Sequence, residues 1–256
     1  MRGDGVGVSA GEQVPTETRG DGMVLRVTER TRLRRMPERV SLERRDLEEI
    51  LDAGFVCHLG VLDGDAPLVL PTVYGRDGDR LYVHGSVASR SLRTARAERP
   101  VCVTVTLVDG IVVARSVFEH SVNYRSVVVL GVPEVLEGEE KVAALRVLTE
   151  HVVHGQWDYA RRPTRQELAQ TTVLALDLGE VSVKMRSGPS EDGDGPDAAL
   201  PVWAGEIPLR VVASPPVADP ALLPGVAVPA HLESVVAGMS ARFAPRPSRP
   251  ASGRAR

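Results

Sequence analysis

The sequence predicts a mainly β fold: six to eight short antiparallel strands with a few helices, closed or nearly closed into a barrel. Three observations predict it. Apolar residues alternate with a period of two in several short runs. Asp-Gly turns at Asp63-Gly64, Asp77-Gly78 and Asp109-Gly110 separate those runs. Strands do not alternate with helices in the manner that builds a parallel sheet. A strand set of this length is then expected to remove its exposed edges by closure.

Residues 1–30 read as a disordered extension, with many Gly, Asp and Glu and no apolar period. The folded domain is expected over residues 31–232. Ser41 can cap a helix whose Leu47, Ile50 and Leu51 share one face and whose end is Gly54. Residues 55–62, 68–74 and 80–84 read as three strands of a meander joined at the first two Asp-Gly turns. Residues 89–97 read as a short helix with Ser89 at its N-cap and Pro100 just past its end. Residues 101–108 give the clearest strand. Val101, Val103, Val105 and Leu107 form its apolar face, and Cys102, Thr104 and Thr106 the other. Asp109-Gly110 is read as the turn into the next strand. Residues 124–136 read as one long strand bent near Gly131 and Pro133. A second strong helix is expected over 139–153, a short one over 165–170, and two closing strands over 172–177 and 180–186. Residues 187–199 read as a flexible loop and residues 233–256 as a flexible Arg/Pro-rich tail.

The 256-residue chain is 43% hydrophobic and 25% charged, enough for one domain with a core that needs no staples. Its 31 basic and 34 acidic residues leave a net charge of −3, which argues against a basic nucleic-acid binder. Aromatics at 4% argue against a base-stacking platform. Cys57 and Cys102 cannot make a disulfide framework and read as small core residues. The first residues carry no apolar signal segment, and no run has the length of a membrane span, so a cytoplasmic location is expected. There is no Gly-rich phosphate loop, no HExxH and no CxxC. No metal site is expected. His151 and His154 share a helix end, where capping and the helix dipole account for them better than metal ligation. Cys57 and His58 are strand neighbours that face opposite ways.

Two segments carry chemistry. In residues 84–90 (HGSVASR) a strand ends, a glycine frees the backbone, and two hydroxyls precede a helix start beside an arginine. That set suits a phosphate, and a plain N-cap with a surface arginine accounts for it about as well. In residues 121–126 (SVNYRS) polar, aromatic and cationic groups open a long apolar strand. A ligand-facing rim is one reading. A strand start with a solvated arginine is the plainer one.

Read together, residues 56–92, 101–131 and 150–164 resemble the pyridoxamine 5'-phosphate oxidase-like flavin-nucleotide-binding proteins, and among them the nitroimidazole-resistance branch. The resemblance runs from about Arg32 to His231. It implies a six-stranded antiparallel split β-barrel with flanking helices, and a homodimer with FMN at the subunit interface. Pro71, Thr72, Val73 and Tyr74 are similar to the strand along the isoalloxazine ring. His84 is similar to the histidine given a catalytic role in that branch. Ser86, Ser89 and Arg90 are similar to the phosphate set. Asn123, Tyr124, Arg125 and Ser126 are similar to an element beside the cofactor, offered to the partner subunit's site. Trp157 is similar to a late tryptophan near the ring. The substrate-pocket arginines and lysine of true pyridoxamine 5'-phosphate oxidases are missing.

The resemblance implies an FMN-dependent oxidoreductase that passes two electrons to or from a small organic molecule. His84 would be the proton donor, its ordinary pKa of about 6.5 suiting neutral pH. Arg90 or Arg125 would offset the phosphate charge. Two alternatives stand beside this. One is a haem-binding split-barrel protein, for which His58, His84 and His120 are the histidines in the strand-rich half. The other is a non-enzymatic flavin-binding module. A deazaflavin would need a long basic groove that the sequence does not show.

Overall fold

The computed structural model describes residues 24–96 and 99–244. Most of the extension read over 1–30 and the end of the tail read over 233–256 lie outside the described residues. Ten strands and six α-helices follow one another: β1 (Val40–Ser41), α1 (Arg44–Ala53), β2 (Val56–Asp63), β3 (Ala66–Asp77), β4 (Arg80–Ser86), α2 (Arg90–Ala95), β5 (Val101–Val113), β6 (Ser121–Gly131), β7 (Glu134–Val135), α3 (Gly138–Val152), α4 (Gln156–Tyr159), α5 (Arg165–Ala169), β8 (Thr171–Asp177), β9 (Val181–Arg186), β10 (Gly205–Pro208) and α6 (Ala230–Arg242).

All strand pairs are antiparallel, in the order β1-β9-β6-β5-β2-β3-β4-β8-β7, with β10 added on β5. This corrects the expected six-stranded barrel. The fold is mixed α/β, and among the described residues no ladder joins the two ends of the sheet. Closure was expected because free edges invite foreign strands. Here the path ends at β1 and β7, each two residues long, and such short edges offer little template. Beyond β1 the described residues add a bridge between Val24 and Glu43 and a hydrogen bond from the Leu25 amide to the Leu42 carbonyl.

The curvature comes from β3. Residues 66–73 of β3 pair with β2, and residues 74–77 pair with β4, so one strand changes partner at Val73/Tyr74. Gly64 and Gly78 hold the two hairpin turns with φ of 64° and 53°, where a side chain would be strained. Asp109-Gly110 is not a turn. β5 continues through it with a register shift between Val108 and Gly110. A Cβ on Gly110 would lie 3.1 Å from the Ile207 carbonyl oxygen, so glycine lets β10 come alongside.

The expected alternation in β5 is present. Val101, Val103, Val105 and Leu107 are buried, while Cys102, Thr104 and Thr106 are not. The buried faces of β2, β5, β6 and β9 meet α1 in the main core, around Leu47, Ile50, Leu51, Val103, Val127 and Val183. Ser41 lies outside α1. Its hydroxyl bonds the Asp46 carboxylate and accepts from the Glu43 amide. A second, smaller core of Leu136, Ala144, Leu148, Val173 and Ala175 lies on the other side of β4 and β8, beneath α3. α3 comes close because residue 75 is glycine. A Cβ there would sit 2.9 Å from the Leu148 Cα.

The end of the described chain is also built in. α6 occupies 230–242, so residues 233–242 of the stretch that reads as a tail are helical. Arg242 donates from Nε to the Asp52 and Ala53 carbonyls and from Nη2 to the Gly54 carbonyl, capping the last turn of α1. Phe243 meets Phe55 edge to face at 5.6 Å.

Candidate functional site

The fold centres the chemistry on β4. Along it, Leu81 and Val83 point into the main core, and Tyr82 and His84 point the other way, toward α3. His84 therefore opens into a cavity of about 300 Å³ walled by Val73, Leu145, Leu148, Val152 and Val153, with Thr149 and Gln156 as its polar members. The His84 Nδ1 is buried and has no hydrogen-bond partner. Burial holds the imidazole below its ordinary pKa, so it is neutral at pH 7. A neutral imidazole in an apolar pocket can ligate a metal or accept a proton, and no described residue hydrogen-bonds the His84 Nδ1.

His151, one turn from the cavity on α3, is engaged. Its Nε2 donates to the Gly54 carbonyl at 2.8 Å, and its ring lies 5.0 Å from that of Tyr74. Burial lowers its pKa as well. Tyr74 itself is fully buried in the main core, its hydroxyl donating to the Leu51 carbonyl at 2.6 Å. Of the strand read as lying along a flavin ring, only Val73 reaches the cavity. Pro71 is exposed and pairs with His58, two residues short of the cavity on the same face as Val73, and Thr72 pairs with Cys57.

The turn after β4 gathers Ser86, Ser89 and Arg90. The Ser86 hydroxyl accepts from the Ala88 amide at 3.2 Å. Ser89 is the N-cap of α2, its hydroxyl 3.1 Å from that of Ser91 and not bonded to the helix amides. Arg90 is exposed and paired with Asp63. Trp157 lies on α4, next to the cavity residue Gln156, with the Arg162 guanidinium 4.8 Å above its ring.

Asn123, Tyr124, Arg125 and Ser126 are elsewhere. β5, β2 and β3 separate their strand β6 from β4, so one chain does not bring them to the cavity. Arg125 is buried and forks onto Asp109, Nε at 2.9 Å and Nη2 at 2.8 Å, with a further bond to the Phe243 carbonyl. Asn123 donates to Glu206 at 2.6 Å and to the Gly188 carbonyl, and its oxygen accepts from Arg186. Ser126 donates to the Lys184 carbonyl. His58 and His120 are exposed, outside the cavity. Sequence reasoning missed the cavity walls: it predicts the helix over 139–153, and only the fold shows that Leu145, Leu148 and Val152 stop short of filling the space over His84.

No metal cluster of three or more His, Cys, Asp or Glu occurs among the described residues. No described helix is long and apolar enough to cross a membrane.

The comparisons with known proteins bear on this geometry. The family described as Pyridoxamine 5'-phosphate oxidase matches residues 43–185. No curated protein matches the chain. Among solved structures, the flavocytochrome Anf3 from Azotobacter vinelandii is 36% identical over 81% of this chain and 96% of its own, with a TM-score of 0.76. The FAD and heme binding protein from Mycobacterium smegmatis is 35% identical over 77% of this chain and 97% of its own, with a TM-score of 0.74. These relatives overturn the expectation of FMN: one is named a flavocytochrome and the other is named for FAD and heme. Both arginines expected to meet the FMN phosphate face carboxylates in this structure, Arg90 on Asp63 and Arg125 on Asp109. A family match over more than half of the sequence, joined to two relatives that align with three quarters or more of it, places this chain in the pyridoxamine 5'-phosphate oxidase family.

Proposed function

We propose that this chain is a redox protein that binds haem and a flavin of the FAD type, and works as a homodimeric oxidoreductase. One observation carries the haem reading: the neutral, unpartnered His84 in an apolar cavity. The residues present fit the group. Haem is a flat, largely apolar macrocycle whose iron takes a neutral imidazole nitrogen. Val73, Leu145, Leu148, Val152 and Val153 offer the apolar wall, and His84 the nitrogen. When bound, haem supplies one-electron transfer and the flavin two-electron transfer.

The chain's own residues do the rest. Burial against the cavity walls favours the neutral form of His84. The turn after β4 is the place for a flavin phosphate, with the Ser86 and Ser89 hydroxyls as donors. Arg90 would exchange Asp63 for the phosphate. Its pairing with Asp63 is largely exposed and so costs little to break. Trp157, already stacked under a guanidinium, gives an aromatic surface beside the cavity. Asn123, Tyr124, Arg125 and Ser126 would serve across a subunit interface. A small-molecule substrate fits this reading, and so does the expected cytoplasmic setting.

The visible spectrum of the purified protein tests the proposal, with the released chromophores identified by mass. A Soret band together with flavin bands is expected. His84→Ala is expected to lose the Soret band and keep the flavin. A colourless protein that takes up neither added hemin nor added FAD would overturn the reading. An unchanged Soret band in His84→Ala would remove His84 from it.

A further inference from the structure

Between β10 and α6 the chain runs for 21 residues, 209–229, without a strand or helix. Loops of more than about 15 residues without structure of their own are uncommon inside a domain and mark function. This segment is fixed at both ends. β10 is held on β5 from Gly205 to Pro208, and the Leu209 amide donates to the Asp109 carbonyl. At the other end the His231 ring bonds Gln156 and lies 5.0 Å from the Tyr159 ring, tilted by 50°, and Arg242 caps α1. From Arg210 to Val228 every hydrogen bond is local to the segment. It is a strap, tied down at its ends and lying free between them.

Its composition is not that of a solvated linker. Only Arg210 and Asp219 are charged. Pro215, Pro216, Pro220 and Pro224 stiffen it into an extended form that loses little entropy when it binds. Val212, Val217 and Leu223 are 70%, 94% and 74% exposed, and Leu222, Val226 and Val228 are exposed as well. A stiff strap with few charges and its apolar side chains in water calls for a covering surface.

The same chain carries a surface of matching chemistry. The face of β2, β3, β5 and β6 turned away from the core consists of Val56, His58, Gly60 and Leu62; Pro67, Val69, Pro71 and Val73; Cys102, Thr104, Thr106 and Val108; and Tyr124, Ser126, Val128 and Leu130. It holds no carboxylate, lysine or arginine, and none of these residues is fully buried. A stripe of exposed ladder partners, Val122, Ile111 and Ile207, runs beside it along β6, β5 and β10, to the point where the strap begins. The strap leaves Val56, His58, Leu62, Val69 and Val108 of this face exposed in its own chain, and its own Val212, Val217 and Leu223 are exposed as well.

We propose that residues 209–229 form a clasp that lies across a second copy of this chain, on its uncharged sheet face, while the partner's strap does the same in return. A second copy is the occupant because strap and face are carried by one chain and are continuous through β10. Two-fold pairing then covers both surfaces twice and closes without leaving either free. A stable interface takes about 20–30 residues a side, and strap and face together offer more than that. The proposal rests on the homodimer of the reading above, and assigns the segment that locks it.

Sedimentation equilibrium of the full chain, with and without Val212→Asp, Val217→Asp and Leu223→Asp together, is the test. The strap lies outside both cores, so the variant is expected to keep the wild-type circular dichroism. A wild-type dimer whose dissociation constant rises at least a hundredfold in the variant is expected. Hydrogen exchange gives the second measurement: strap amides should be protected at high protein concentration and lose protection on dilution. An equally tight dimer in the variant would overturn the clasp and leave the dimer standing. A monomeric wild type would overturn both. Protection that does not change on dilution would place the strap on its own chain and overturn the clasp. None of these outcomes depends on the cofactors, which the spectrum tests separately.

Discussion

His84 and His151 show how burial tunes two histidines of one helix–sheet layer toward different tasks. Both are held below the ordinary imidazole pKa, chiefly by loss of solvent. His151 answers its burial with a bond to the Gly54 carbonyl, and His84 has no such bond. The sign of the pH effect follows. The unfolded chain takes up these protons near pH 6.5, before the folded chain does. Their contribution to stability is therefore complete above about pH 6.5 and is lost as pH falls toward the folded values. Thermal melts from pH 8 to pH 5 should show the melting temperature falling below about pH 6.5. The fall should be shallower in His84→Gln. Equal slopes in both proteins would remove His84 as a source. Tyr74 is the contrasting residue. Its sequence position suggests a ring contact, yet the Leu51 carbonyl holds its hydroxyl in the core. Tyr74→Phe leaves that buried carbonyl without its donor and should cost about 1–3 kcal/mol in urea unfolding, with no change in chromophore content.

At the scale of elements, the sequence was legible where periodicity is local. The alternation of β5, the stripe of α1 and the hairpins at Gly64 and Gly78 are all written in neighbouring residues. What was not legible depends on partners far along the chain. Asp109-Gly110 has the composition of a turn. It stays within a strand because Arg125 holds the Asp109 carboxylate and β10 approaches Gly110. The edges were expected to close because the sequence does not show that β1 and β7 are only two residues long. Arg242 reads as one of several tail arginines, but its acceptors are carbonyls nearly 190 residues away. Histidine 84 was legible as a candidate. Its cavity was not, since the wall comes from α3, which passes over β3 and β4 at a distance set by Gly75. Two substitutions test these placements. Gly75→Ala puts a Cβ against the α3 backbone and should cost about 1–3 kcal/mol, because a helix backbone cannot step aside as a side chain can. Arg242→Ala removes the cap of α1 and should cost about 1–2 kcal/mol, with faster amide exchange confined to the last turn of α1.

For the whole molecule, the arrangement of two cores on either side of β4 and β8 separates stability from binding. The large core under α1 contains most of the buried aliphatic side chains. The small one under α3 has five fully buried members and stops at the cavity. A layer with few buried apolar contacts opens at lower free energy than the whole domain. In the protein without cofactor, α3 should therefore exchange its amides well before β5 and β6. A group seated on His84 acts on that layer first. Ligand that binds only the folded state adds about 2.7 kcal/mol when present at a hundred times its dissociation constant. Added hemin should thus raise the melting temperature of the wild-type protein and slow exchange in α3 and β4, with little change in β5. His84→Ala should show neither response. Slowing spread evenly over both cores would mean that the group sits elsewhere, and that the cavity beneath α3 is a packing defect, not a site.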